Sequence, residues 1–192
     1  MKDKIITTPD PRLRQESKAV GDINAEILDI IQTMREQSIA WEKTHPHELS
    51  AAMAAPQLGV NKRIIIVRED MEDKKNANFI ALINPKVTKT EGANVTEPEG
   101  CLSVPAIYGL VPRPQKARIK ATLEDGSEVK IKAEGFLART LLHEIDHLDG
   151  VLFIDRIKNS EKAFFKLNQK GDLEALDYNK YIKNNKELFP DD

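Results

Sequence analysis

Cysteine is almost absent from this chain: Cys101 is the single one among 192 residues. That excludes an intrachain disulfide and makes a reducing cytoplasm the expected compartment. An excess of charge of one sign is also lacking. The net charge of −2 gives no basis for direct nucleic-acid readout or for membrane attachment through bulk charge. No apolar run approaches the length of a membrane span. The charged start Met1-Lys2-Asp3-Lys4 leads into too short an apolar stretch for a signal peptide. Internal repeats and low-complexity tracts are missing as well. What remains is a chain with 40% hydrophobic and 31% charged residues, the balance of a globular protein. Its length suits one domain with a real core.

The residue pattern predicts a first helix from Asn24 to about Trp41. Asn24 caps it, and Ile27, Ile30, Ile31, Met34 and Trp41 fall near one face. Pro46 marks a break soon after. Arg63 to Arg68 is a short β-branched run and reads as a buried strand, with Phe79 to Ile83 a second candidate. Ala117 to Leu123 and Val129 to Ala133 alternate on either side of Asp125-Gly126 and predict a hairpin. A helix fits Phe136 to Leu148, stopped by Gly150. A last helix is placed around Ser160 to Asn168, and the polar tail Asp172 to Asp192 either wraps the surface or stays loose. The expected fold is α+β, with antiparallel sheet packed around a central helix.

That central helix carries His143-Glu144-Ile145-Asp146-His147. Positions i and i+4 share a helix face, so both imidazoles can reach one ion, with Glu144 beside a metal-bound water. The bland alternative is a helix with two ordinary histidines. The neighbours Leu141, Leu142, Ile145 and Leu148 indicate burial, and burying two histidines and a glutamate without a metal is costly. A catalytic site needs a third protein ligand and one open position. Upstream lies Glu99-Gly100-Cys101-Leu102-Ser103; its thiolate suits a borderline ion, although a lone cysteine is more often a small buried hydrophobe. A third segment, Ser50-Ala51-Ala52-Met53-Ala54-Ala55-Pro56-Gln57, is rich in small residues. Backbone can approach a substrate there, and the Gln57 amide can reach an oxyanion; a tightly packed core turn is the competing reading. His45 and His47 could bind an adventitious metal, though an exposed loop describes them as well.

Taken together and in this order, AAPQ at 54–57, EGCLS at 99–103 and HEIDHLDG at 143–150 resemble the peptide deformylases. TTPDPRLRQ near the start, INP at 83–85, SVPAIYGLVPRP at 103–114 and GFLAR at 135–139 extend the similarity from about Ile5 to Arg156. The resemblance implies a catalytic unit over residues 1–158, with a C-terminal helix and polar tail at 159–192 in the same domain. It implies hydrolysis of the N-formyl group of N-formylmethionyl nascent chains at the ribosome; a monomer is the default expectation. Cys101, His143 and His147 would hold one divalent ion, ferrous iron in the cell, with zinc, nickel or cobalt able to replace it. Glu144 would be the general acid/base, with Gln57 and the Leu102 N–H as oxyanion donors. Ser50, Ala51, Ala52, Met53, Gly100, Tyr108, Phe136 and Thr140 would contact the substrate.

The chain departs from the family pattern at three positions. Ser50 and Ala52 stand where the family carries glycines, and Leu142 stands where it carries glutamine. These departures motivate one rival, a metalloamidase for another acylated amine; a second, from another class, is a silent homologue that only binds peptide or ribosome. Retention of Glu144 and Gln57 speaks against the second, since neither is needed merely to hold metal.

Overall fold

The computed structural model describes residues 5–45, 49–71, 73, 76–168 and 171–190. Pro46 and His47 fall outside them, as do Asp191 and Asp192. Helix α1 (Ala25–Thr44) begins where Asn24 caps it. The Asn24 side-chain oxygen accepts from the Ile27 N–H at 3.2 Å, a contact worth about 1 kcal/mol. Its inward face buries Ile27, Ile31 and Met34.

Strands β1 (Ala52–Ala54), β2 (Ile64–Arg68), β3 (Phe79–Cys101), β4 (Val104–Thr122) and β5 (Glu128–Glu134) follow. Each pairs antiparallel with the next. Helix α2 (Gly135–Leu148) covers one face of this sheet and α1 the other. β2 is apolar from Ile64 to Val67 for that reason. Ile65 and Val67 pack toward α2, and Ile64 and Ile66 toward α1, so neither face calls for polar alternation. The expected hairpin is present, with Ala121 opposite Val129, Ile119 opposite Ile131 and Ala117 opposite Ala133. α2 is stopped just past its C-cap Asp149 by Gly150, whose φ is +73°. A Cβ there would also lie 2.6 Å from the Arg14 carbonyl oxygen, so glycine is required by space as well as by backbone angle.

Phe79 to Ile83 is only the opening of β3. Beyond it Asn84, Pro85 and Gly92 look like loop residues in sequence. The strand absorbs them at register shifts, between Ile83 and Lys86 and between Glu91 and Asn94, where bulges tolerate proline and glycine.

The helix expected at Ser160–Asn168 does not form. After α3 (Phe153–Ile157) the chain enters β6 (Phe164–Leu167), which pairs with Tyr108 and Gly109 of β4, and then β7 (Leu173–Ala175). The β4–β5 ladder stops at Lys116, so the edge of β4 near Leu110 has open backbone groups. The Leu110 N–H donates to the Ala163 carbonyl at 2.8 Å. Satisfying that edge overrides the local helical preference. The only helix in the tail is the one-turn α4 (Tyr178–Tyr181) among the described residues. The tail is not loose: Ile182, Leu188 and Phe189 are buried with Phe153, Ile154 and Phe164. No helix among the described residues is long and apolar enough to cross a membrane.

Candidate metal centre and active site

β3 ends at Cys101, and a tight turn through Leu102 and Ser103 leads into β4. This places the thiol beside α2. Cys101 Sγ lies 3.1 Å from His147 Nε2. His143 and His147, one helical turn apart, stand edge to face at 5.1 Å between ring centroids. One ligand atom from each of Cys101, His143 and His147 lies within 4.8 Å of the other two. One sulfur and two imidazole nitrogens suit a divalent transition ion with a further position open.

The surroundings fit such an ion. His147 Nδ1 and Glu144 Oε2 are buried, and neither has a hydrogen-bond partner among the described residues. Burial holds His147 well below the ordinary histidine range. At His143 burial acts the same way, but hydrogen bonds with Cys101 and Glu99 outweigh it and raise the group well above that range. An ion held by Cys101, His143 and His147 would supply the positive charge that Cys101 and Glu99 favour at His143 while both imidazoles stay neutral.

Glu99 organises the ligand behind the site. Its Oε2 is 2.9 Å from His143 Nδ1, so the ring donates through Nδ1 and leaves Nε2 for an ion. Arg113 forks onto the same carboxylate at 2.6 and 2.8 Å, and Arg139 Nη1 donates to it at 2.6 Å. Burial opposes the Glu99 charge, yet the hydrogen bonds from Arg113 and His143 outweigh it and hold the carboxyl at about 2. Arg113 continues to Asp146 at 2.8 Å, and Arg156 donates to Asp146 from the other side at 2.6 Å.

Two further groups point into the same place. Burial pushes the Glu144 carboxyl up to about 7, a range suited to taking and returning a proton near neutrality. Gln57 is oriented by its neighbours. Its Oε1 accepts from the Ala54 N–H at 2.9 Å, which turns Nε2 toward Ser103 Oγ at 3.2 Å and Cys101 Sγ at 3.7 Å.

A cleft of about 740 Å³ opens over these groups. Gln57, Cys101, Leu102, His143 and Glu144 line it. Ser50, Ala51 and Ala52 border it from the segment leading into β1, Gly100 and Tyr108 from the β3–β4 turn region, and Phe136 and Thr140 from α2. Met53 is the exception: its side chain is fully buried in the cluster under α1. Val104 pairs with Cys101 but Tyr108 pairs with Gly100, so Pro105, Ala106 and Ile107 bulge outward. Ala106 takes φ +63° there and borders the cleft.

Sequence reading missed several participants. Asp146 lies inside the HEIDH run and Glu99 inside EGCLS, so both motifs already held them. Arg113 has no local signature. Trp41 reads as part of the apolar face of α1, yet it lines the cleft with His45, and Leu167 does so from β6.

The family profile described as Polypeptide deformylase matches residues 2–163. The chain belongs to this family. The peptide deformylase of Halothermothrix orenii is 45% identical over 148 residues, covering 77% of this chain and 88% of that protein. That of Caldicellulosiruptor bescii is 38% identical and covers 91% of this chain and 98% of that protein. A solved peptide deformylase of Synechococcus elongatus, in complex with actinonin, superposes with a TM-score of 0.71. It is 36% identical, over 80% of this chain and 77% of that one. A probable peptide deformylase from Synechococcus phage S-SSM7 gives the same TM-score at 38% identity, over 80% and 98%. The deformylase family match stops near the start of β6, so the β6–β7 wall of the cleft lies beyond it.

Proposed function

We propose that this chain removes the N-formyl group from N-formylmethionyl ends of nascent polypeptides in the cytoplasm, releasing formate. The observation that carries the reading is the convergence of Cys101, His143 and His147 with Glu144 and Gln57 on one cleft. Bound by Cys101, His143 and His147, a divalent ion (ferrous iron in the cell, with zinc, nickel or cobalt as substitutes) supplies Lewis acidity toward water and the formyl oxygen.

The protein's own groups do the rest. Glu144 takes the proton of the attacking water and returns one to the leaving amine. Burial, and the lack of a hydrogen-bond partner on Oε2 among the described residues, support that role. Gln57 Nε2 and the Leu102 N–H donate to the oxygen on which negative charge develops. The hydrogen bond from Ala54 holds the Gln57 amide ready, so no reorganisation is needed at the moment of reaction. The peptide backbone pairs with the open groups of Ala52 as an added strand and passes beside Ala51 and Ser50. The methionine side chain enters between Ala51, Phe136, Thr140 and His143, with Gly100 and Tyr108 across the cleft.

The test is a panel of formyl-, acetyl- and longer acyl-Met-Ala-Ser peptides offered to metal-loaded protein. Formate release far above any other acid supports the proposal. A preference for acetyl or longer groups would place the chain among metalloamidases of another acylated amine.

A further inference from the structure

Edge strand β1 has an uneven supply of backbone groups. The Arg68 N–H donates to the Ala51 carbonyl at 2.8 Å, and Ala52 stands opposite Val67. In the antiparallel alternation Ala52 therefore occupies a non-hydrogen-bonded pair, so its N–H and C=O face away from β2. The Ala54 N–H points to that same side and is taken by Gln57. Ala52 thus offers open backbone to the cleft.

Ser50 offers none. Its N–H donates to Glu42 Oε1 at 2.8 Å, and its carbonyl accepts from Arg68 Nε at 3.4 Å. Its hydroxyl is bonded to that of Ser38 on α1. The Arg68 side chain is fully buried; Nη2 donates to Glu42 Oε1 at 2.6 Å, and Nη1 donates to the Asn76 carbonyl. Its guanidinium lies 4.9 Å from the Phe79 ring centroid. One oxygen of Glu42 therefore gathers both Ser50 and Arg68. Glu42 sits in the last turn of α1, beside Trp41, whose ring stacks on His45 at 4.1 Å.

We infer that Glu42, Arg68 and the Ser38–Ser50 hydroxyl pair form a clamp that positions the Ser50–Ala52 edge for substrate residues beyond methionine. Glycine at position 50 would leave this edge with more backbone freedom; here a serine is held at its N–H, C=O and hydroxyl. The clamp is remote from the chemistry. Gln57, at the other end of the segment, faces Cys101, whereas Ser50 lies at the end away from it. Glu42, Arg68 and Ser38 are thus positioning residues, and their influence grows with peptide length.

The inference rests on the deformylase reading for its kinetic arm only. Ser38→Ala, Glu42→Gln and Glu42→Ala are compared with the unaltered chain on formyl-Met and on formyl-Met-Ala-Ser. The expected result is a KM for the tripeptide raised about fivefold or more, with kcat and the KM for formyl-Met unchanged. Amide exchange of the Ser50–Ala52 segment should quicken in the same variants while α2 keeps its protection. Equal KM changes on both substrates, a fall in kcat alone, or unchanged exchange would overturn the clamp. Should Glu42→Ala fail to fold, Ser38→Ala and Glu42→Gln carry the comparison. If the unaltered chain turns over neither substrate, the deformylase reading fails, and the exchange measurement still decides whether the clamp exists.

Discussion

His143 donates through Nδ1 to Glu99 Oε2 at 2.9 Å, and Glu99 is itself held by Arg113 and Arg139. The imidazole is therefore fixed in tautomer and direction before an ion arrives. Replacing Glu99 by glutamine keeps the shape but removes the charge that orders the ring. Metal affinity should fall by about 10- to 100-fold, read by competition with a chelator. Unaltered affinity would mean that the Glu99 contact does not prepare the ligand.

Arg113 is the buried cation shared between Glu99 and Asp146. Its removal in Arg113→Ala leaves Glu99 with Arg139 and His143 alone and Asp146 with Arg156 alone, and breaking a buried pair costs up to about 3–5 kcal/mol. A urea titration should show the midpoint falling accordingly with an unchanged slope. Both carboxylates keep a second arginine, Arg139 for Glu99 and Arg156 for Asp146, so the loss falls toward the lower end of that range. A shift below about 1 kcal/mol would show that water reaches the network.

Gly100 is required by a neighbour. A Cβ there would lie 2.6 Å from Tyr108 Cε1 and 3.0 Å from Cδ1. Gly100→Ala forces that ring to shift in the cleft wall, at a cost of about 1–3 kcal/mol. The KM for formyl-Met peptides should rise several-fold while bound metal stays at one per chain. An unchanged KM would remove Tyr108 from the substrate wall.

A thiolate ligand beside ferrous iron invites oxidation. Iron-loaded protein should lose activity in air while its far-UV circular dichroism holds, and nickel-loaded protein should keep both. Stable aerobic activity of the iron form would contradict this.

The parts of the fold legible in sequence were those whose signals are local. α2 announces itself by apolar spacing and Gly150, the β4–β5 hairpin by strict alternation around Asp125-Gly126, and α1 by Asn24. β6 was illegible because its cause lies elsewhere, in open backbone groups at the edge of β4 near Leu110. The length of β3 was hidden by Pro85 and Gly92, which mimic a loop until bulges absorb them, and by Pro98, which stands in the ladder opposite Leu110. At the site, Cys101, His143 and His147 could be picked out because two motifs contain them. Arg113 and Glu42 could not, since ion pairs across distant segments leave no spacing to read. Trp41 followed the helical period of α1 but lies at the cleft because α1 extends to Thr44, past the cluster it covers.

In the proposed mechanism Glu144 moves the proton while Cys101, His143 and His147 hold the ion. This division of labour is tested most directly by formate release and metal content measured on the same samples of the unaltered chain and Glu144→Gln. The account predicts one bound metal per chain in both and a fall in formate release of about 10²- to 10⁴-fold in the variant. Undiminished release from Glu144→Gln would contradict it.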